Sequence, residues 1–314
     1  MRILAINNKD EAVRKNSSSG GVFYLIAESV INDSGVVFGA KFDSSFDVVH
    51  GYAEDMEGIR AFMGSKYVQS SVGGAYRDAK DFLEAGRKVL FSGTPCQIAA
   101  LKKYLGKEYE NLITVDFICH GVPSRRIFRE YLDEISKGRE IAKVNFRDKT
   151  EGWRAFSLKV DFADGSTYRK NLEEDPFVCG FLKNLYLRPS CYQCAYRGFE
   201  RPADVTLADF WGVQNIMPEI YDDKGTSIII VRKESIEKLI EYKKDSLVIR
   251  ELDEQTVQKT NVAVEKSCAM HPKRAEFFES EYKSVSKAIY RIVKEPLKIR
   301  VKKKLYKLYK GVKK

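Results

Sequence analysis

What the chain lacks narrows its class before any motif is read. No stretch approaches the roughly 18 apolar residues that a membrane-spanning helix requires, so none reads as a transmembrane segment. The opening MRILAINNKDEAVRK has neither the apolar core nor the small-residue cleavage site of a secretory signal, and a cytoplasmic location is expected. Internal repeats and low-complexity linkers are missing until the last residues, which points to one compact body. Cysteine is sparse, at six in 314 residues. In a reducing compartment that is no disulfide framework, which leaves metal binding, redox chemistry or burial. With 44% hydrophobic residues, a chain of this length buries a core without covalent staples.

A basic face on the body is also missing. The net charge is +10, but ten of the 54 basic residues and only one of the 44 acidic ones lie in 294–314. The remainder is nearly neutral, whereas a groove for nucleic acid carries its charge on the folded body. Nucleic acid is therefore not an expected partner. In the tail, Leu297, Val301, Leu305 and Leu308 recur at helical spacing among lysines. That pattern suits an anionic membrane surface, such as the inner face of the plasma membrane, or an acidic partner, and equally a solvated terminus.

The pattern predicts an α/β fold. Helical spacing marks 21–31 and 75–85, the latter stopped by Gly86. Residues 36–42 read as a strand, followed by a Gly- and Asp-punctuated stretch to Gly58. A strand at 88–91, a helix at 95–105 closed by Gly106 and a strand at 112–118 form a β-α-β unit, which predicts parallel strands and a right-handed crossover. Alternation over 145–162 leads into Asp164-Gly165, a hairpin signal. Strands are expected at 204–207 and 227–231, and helices at 235–243 and 274–292.

Cys191-Tyr192-Gln193-Cys194 is a CxxC pair, which suits zinc, a dithiol couple or an iron–sulfur site. Cys96 and Cys119 follow the two strands of the β-α-β unit, so both emerge at the carboxyl edge of one sheet, where open α/β sheets hold ligands. Neighbouring or next-neighbouring strands would place them about 5 to 10 Å apart. Cys96 also starts a helix, whose dipole favours thiolate. Burial as small apolar side chains is the competing reading for this pair. Cys179 and Cys268 read as non-ligands. In 17–21, Ser17, Ser18, Ser19, Gly20 and Gly21 run into a helix, a cradle for a diphosphate or an ordinary cap. Gly64, Ser65 and Lys66 bring a cation, next to a flavin or on a surface turn. His120, beside Cys119, is placed to bond a cluster sulfur, to move a proton or simply to support the structure. His50 and His271 have no supporting context. Asp209 and Trp211 read as a turn cap and a hydrophobic wall.

Six segments, SSSGG at 17–21, GSKY at 64–67, GTPCQIAAL at 93–101, DFICHGVPS at 116–124, SCYQC at 190–194 and DVTLADFWG at 204–212, occur in this order. Together they resemble the coenzyme F420 hydrogenase/dehydrogenase beta-subunit family, whose name refers to a deazaflavin. The likeness spans roughly residues 10 to 280. It implies FAD, a 4Fe-4S cluster and a family-specific α/β fold with a mixed, partly parallel sheet, arranged as family segments 1–90 and 91–285 with a basic tail at 286–314. It makes Cys96, Cys119, Cys191 and Cys194 the cluster ligands. It also implies flavin contacts from 17–21, Gly64, Ser65, Lys66, Gly93, Thr94 and Gln97, and catalytic roles for Lys66 and His120. Many members carry a Cys-rich ferredoxin-like module, and this sequence contains no such run. Electrons would then come from a separate ferredoxin or other redox partner, or from a module outside this sequence. The implied activity is electron transfer between that donor and an organic substrate or deazaflavin. The alternative is a non-enzymatic scaffold with a structural zinc or iron–sulfur site.

Overall fold

A computed structural model describes residues 1–293; the basic tail expectation at 294–314 lies outside the described residues. Eleven strands are described: β1 (Arg2–Asn8), β2 (Val36–Phe42), β3 (Val48–Ala53), β4 (Val89–Ser92), β5 (Leu112–Phe117), β6 (Ile141–Asp148), β7 (Ser157–Phe162), β8 (Thr167–Asn171), β9 (Val205–Asp209), β10 (Ser227–Val231) and β11 (Leu247–Glu251). Eight of them form a mixed sheet in the order β11-β1-β10-β9-β5-β4-β2-β3. Its centre, β2, β4, β5 and β9, is parallel, while the flanking strands pair antiparallel. The remaining three form an antiparallel sheet, β6-β7-β8, with Asp164-Gly165 turning between β7 and β8 as the sequence suggests. The expected α/β class with a mixed, partly parallel sheet is what forms.

The parallel centre is buried on both faces, which is why its strands read as short apolar runs rather than alternating ones. Helices Val22–Asn32 and Glu234–Tyr242 cover one face through Leu25, Ile26, Val30, Ile236 and Ile240. Helices Ala75–Glu84 and Pro95–Leu105 cover the other through Ala79, Leu83, Ile98 and Leu101. The largest cluster lies against the small sheet, where Phe146, Leu158 and Val160 meet Phe177, Tyr131 and Ile289. Among the described residues no helix is long and apolar enough to cross a membrane.

Three sequence expectations change. The stretch after Phe42 holds β3, because the Asp43 carboxylate accepts from Ser45 N and Asp47 N and turns the chain back antiparallel to β2. The helix expected over 274–292 is two helices, Arg274–Glu279 and Val285–Val293. Ser280 leaves the first in extended backbone, and Ser284 Oγ accepts from Lys287 N to start the second. A helix at Arg125–Ser136 was not anticipated, although Ile127, Phe128, Tyr131, Leu132 and Ile135 carry the helical period that buries it.

Candidate functional site

The carboxyl ends of β2, β4, β5 and β9 share one edge, and a cavity of about 910 Å³ opens there. That volume is in the upper range of cofactor and ligand sites. Ser92 to Thr94 after β4, Ile118 to Val122 after β5 and Asp209 at the end of β9 line it.

The cysteine side is built by the β-α-β unit. β4 and β5 are adjacent, with Ser92 opposite Val115, so Cys96 and Cys119 leave from neighbouring strands. A capping box starts the helix that carries Cys96: Thr94 N donates to Gln97 Oε1 at 3.0 Å, and Pro95 fills the first turn. Thr94 Oγ1 lies 3.1 Å from Cys96 Sγ. Cys191 and Cys194 sit on a short turn, Pro189–Gln193 and its cap, which Arg188 N ties to Val122 O at 2.9 Å. The approach is close enough that a Cβ on Gly121 would lie 3.3 Å from Cys191 Cβ, and its φ of 143° also favours glycine. Arg197 locks the loop by donating to Cys119 O and Ala263 O, both at 2.6 Å. Burial pushes the Cys119 thiol up to about 12, and the Cys191 and Cys96 sulfurs push the same way. Cys191 is likewise raised by burial and by Cys96 and Cys194. The four thiols are therefore electrostatic neighbours. Among the described residues no group of three or more His, Cys, Asp or Glu side chains is gathered for a single metal ion.

The same cavity is lined by the two Ser/Gly segments, which meet. Ser18 Oγ and Ser65 Oγ are 2.8 Å apart, although they lie 47 positions apart in the chain. Gly20 has a reason that the sequence does not show. A Cβ there would lie 2.2 Å from Ile6 O and 2.7 Å from Ser227 N, so the close approach is to β1 and β10 rather than to a ligand. Gly21 takes a left-handed φ of 87° as it enters helix Val22–Asn32, whose start has no side-chain cap. Gly64 also has positive φ, 75°. Lys66 lines the cavity, but its Nζ donates to Ala61 O at 2.7 Å, Met63 O at 3.0 Å and Gly64 O at 3.4 Å. Burial pushes its pKa down to about 7. Gln97 bridges onward to Ser70 Oγ at 2.9 Å, and Gly93 packs beside Gln97 and His50.

Aromatic and charged groups pack in and beside the cavity. Arg147, 2% exposed, pairs with Asp209 at 2.9 Å and lies over the Phe156 and Trp211 rings. Trp211 stacks on Trp153 at 4.7 Å between centroids. His120 lines the cavity edge-to-face with Phe181 at 4.9 Å, and burial lowers its pKa against hydrogen bonding to Asn184 and Phe181.

Residues 86–256 match the family described as the C terminus of the coenzyme F420 hydrogenase/dehydrogenase beta subunit, which is more than half of the chain. The chain belongs to this family. A solved chain from the F420-reducing [NiFe] hydrogenase complex of Methanosarcina barkeri is similar in fold, with a TM-score of 0.56 at 15% identity over 84% of this chain and 88% of that one. No curated protein sequence matches.

In this beta-subunit family member, Cys96 and Cys119 line the cavity with Ser17, Ser18, Ser19, Gly21, Gly64, Ser65 and Lys66, while Cys191 acts electrostatically on Cys119, and Cys194 on Cys191, from outside that lining. Lys66 is present but commits its ammonium to carbonyls. Three groups escaped sequence reasoning. Cys268, read there as a non-ligand, donates from Sγ to His120 O at 2.6 Å and is raised by burial, with Cys191 and Cys194 also acting on it. His50 is buried in the cavity wall, stacked on Phe91 with Nε2 3.1 Å from Ser92 O. Arg147 reaches Asp209 from 62 residues away. A lone His, a lone Arg and a Cys in a polar segment carry no local signal.

Proposed function

We propose that this protein is an FAD-dependent iron–sulfur oxidoreductase that passes electrons between a ferredoxin-like donor and an organic substrate or deazaflavin. One observation supports the reading: two free thiols, Cys96 and Cys119, leave neighbouring parallel strands and line the same cavity as the Ser/Gly pair of segments, with the Cys191 sulfur acting electrostatically on Cys119 and that of Cys194 on Cys191. The thiols suit a 4Fe-4S cluster. Bound iron would favour thiolate at Cys119 and Cys191, where burial now pushes the thiols up. The cavity suits a flavin in size, and Ser18 with Ser65 offers hydroxyls beside an uncapped helix start.

When bound, the flavin would supply two-electron chemistry and the cluster single-electron transfer. The chain itself would do the rest. Cys96, Cys119, Cys191 and Cys194 would hold the cluster, with Thr94 Oγ1 beside the Cys96 sulfur. Ser17, Ser18, Ser19, Ser65, Gly93 and Gln97 would contact the flavin. Trp211 and Phe156 would exclude water, and His120 would hold a proton at the cavity edge.

Anaerobic purification with absorption spectra and iron, sulfide and flavin analysis tests this. About four irons, four sulfides and one flavin per chain are expected. Stoichiometric zinc without iron or flavin would sink the redox reading. Cys194→Ser should bleach the cluster absorption, and unchanged iron content would remove that residue from the ligand set.

A further inference from the structure

The Ser/Gly wall of the cavity needs a cation if a phosphate is to sit there, and the residue that sequence suggests for this is engaged elsewhere. Lys66 Nζ is held by three backbone carbonyls. The neighbouring cations are committed too. Arg14 forks onto the Asp222 carboxylate with two bonds of 2.6 Å. Lys149 Nζ donates to Arg14 O at 2.8 Å and to Lys224 O at 3.0 Å. Arg147 is paired with Asp209 at 2.9 Å.

Arg154 differs from all four, and from the two other arginines that line the cavity, Arg125, which pairs with Asp47 at 3.5 Å, and Arg188, whose charge acts on Cys191. It is exposed and lines the same cavity as Ser17, Ser18 and Ser65. The loop that carries it is held on both sides: the indole Nε1 of the preceding Trp153 donates to Ser18 O at 3.1 Å, and Arg154 N donates to Asp223 Oδ1 at 3.2 Å. Asp223 thus meets the backbone, and the guanidinium interacts with the Tyr221 hydroxyl. Among the described residues the Arg154 guanidinium has no carboxylate within ion-pair distance. A planar, permanently charged fork at the mouth of a Ser-lined cavity is the side chain suited to a phosphate, and arginine binds it bidentately where lysine offers only a point charge.

We propose that Arg154, rather than Lys66, is the cation that binds the phosphate groups of a dinucleotide cofactor on this wall. The inference rests on the flavin reading above and adds to it a residue and a ligand group. It predicts discrimination: FAD carries the diphosphate and riboflavin carries none, so Arg154 contributes to binding the first and not the second.

The test titrates flavin-depleted, anaerobically handled full-length protein with FAD and with riboflavin, following the change in flavin fluorescence. Arg154→Gln should weaken FAD binding by about tenfold, the scale of one lost charge-assisted fork, and leave riboflavin within about twofold. Arg154→Lys should recover part of the FAD affinity. The thermal midpoint of each variant reports folding, which an exposed side chain should leave unchanged. FAD affinity unchanged in Arg154→Gln, or equal losses for both flavins, overturns the assignment while leaving the flavin reading standing. Failure of the wild-type protein to bind either flavin overturns both.

Discussion

At the scale of single residues, backbone approach and burial decide more than residue type. Gly20 sits where any side chain would collide with the backbones of β1 and β10. Gly20→Ala should therefore destabilise by about 1–3 kcal/mol, the usual range for overpacking a rigid site. A denaturant midpoint equal to that of the wild type would remove the packing argument. His50 makes a pH prediction. Burial lowers its pKa, with the Ser92 carbonyl opposing, so the folded state takes up a proton less readily than the unfolded chain. Both states are neutral well above the ordinary histidine value of about 6.5. Below it the unfolded chain gains a proton that the folded one resists, so stability is lost as pH falls from there toward the folded value. Urea midpoints at about pH 7.5 and 5.5 should differ more in wild type than in His50→Gln. Equal differences would show that His50 is not a source of the acid sensitivity.

At the scale of elements, the best-read part of the chain is the β-α-β unit. Val89–Ser92, Pro95–Leu105 and Leu112–Phe117 fall within a residue of their sequence boundaries. Proline at the helix start, glycine past its end and apolar strands buried on both faces are local signals, and local signals survive folding. Thr94 closes the capping box of that helix, so Thr94→Ala should lower stability by about 1 kcal/mol, and Thr94→Ser should restore most of it. Thermal midpoints of the three proteins decide, and an unchanged Thr94→Ala would remove the cap from the argument. Elements whose pairing is remote read less well. β1 and β11 take their places only through each other and β10, more than 200 residues along the chain. The break at Ser280–Ser284 depends on Glu134, which accepts from Ser284 Oγ at 3.0 Å across 150 residues.

Over the whole molecule, Arg147 of β6 joins the small sheet to Asp209 of β9, and that joint is packed by Trp153. This tryptophan is fully buried, stacks on Trp211 after β9, and bonds the Ser18 carbonyl. Trp153→Ala should cost about 3–5 kcal/mol, the range for deleting a buried aromatic. Flavin binding should also weaken, because the same residue anchors Ser18 and Arg154. Wild-type flavin affinity in a folded Trp153→Ala protein would separate the site from this joint.

The fold class, the parallel centre and the family likeness were all written in local patterns: apolar runs, glycine stops, and short motifs in a set order. The emergence of Cys96 and Cys119 from neighbouring strands was legible for the same reason, since strand ends of one parallel sheet share an edge. How each cation is engaged was not legible. Lys66, Arg147 and Arg154 look alike as basic residues, and their roles separate only when carbonyls, Asp209 and the Ser18 turn are brought against them from distant parts of the chain. Periodicity reports how a segment meets water and its near neighbours. The partner that satisfies a charge is chosen by tertiary packing, and the chemistry left available in the cavity follows from that choice.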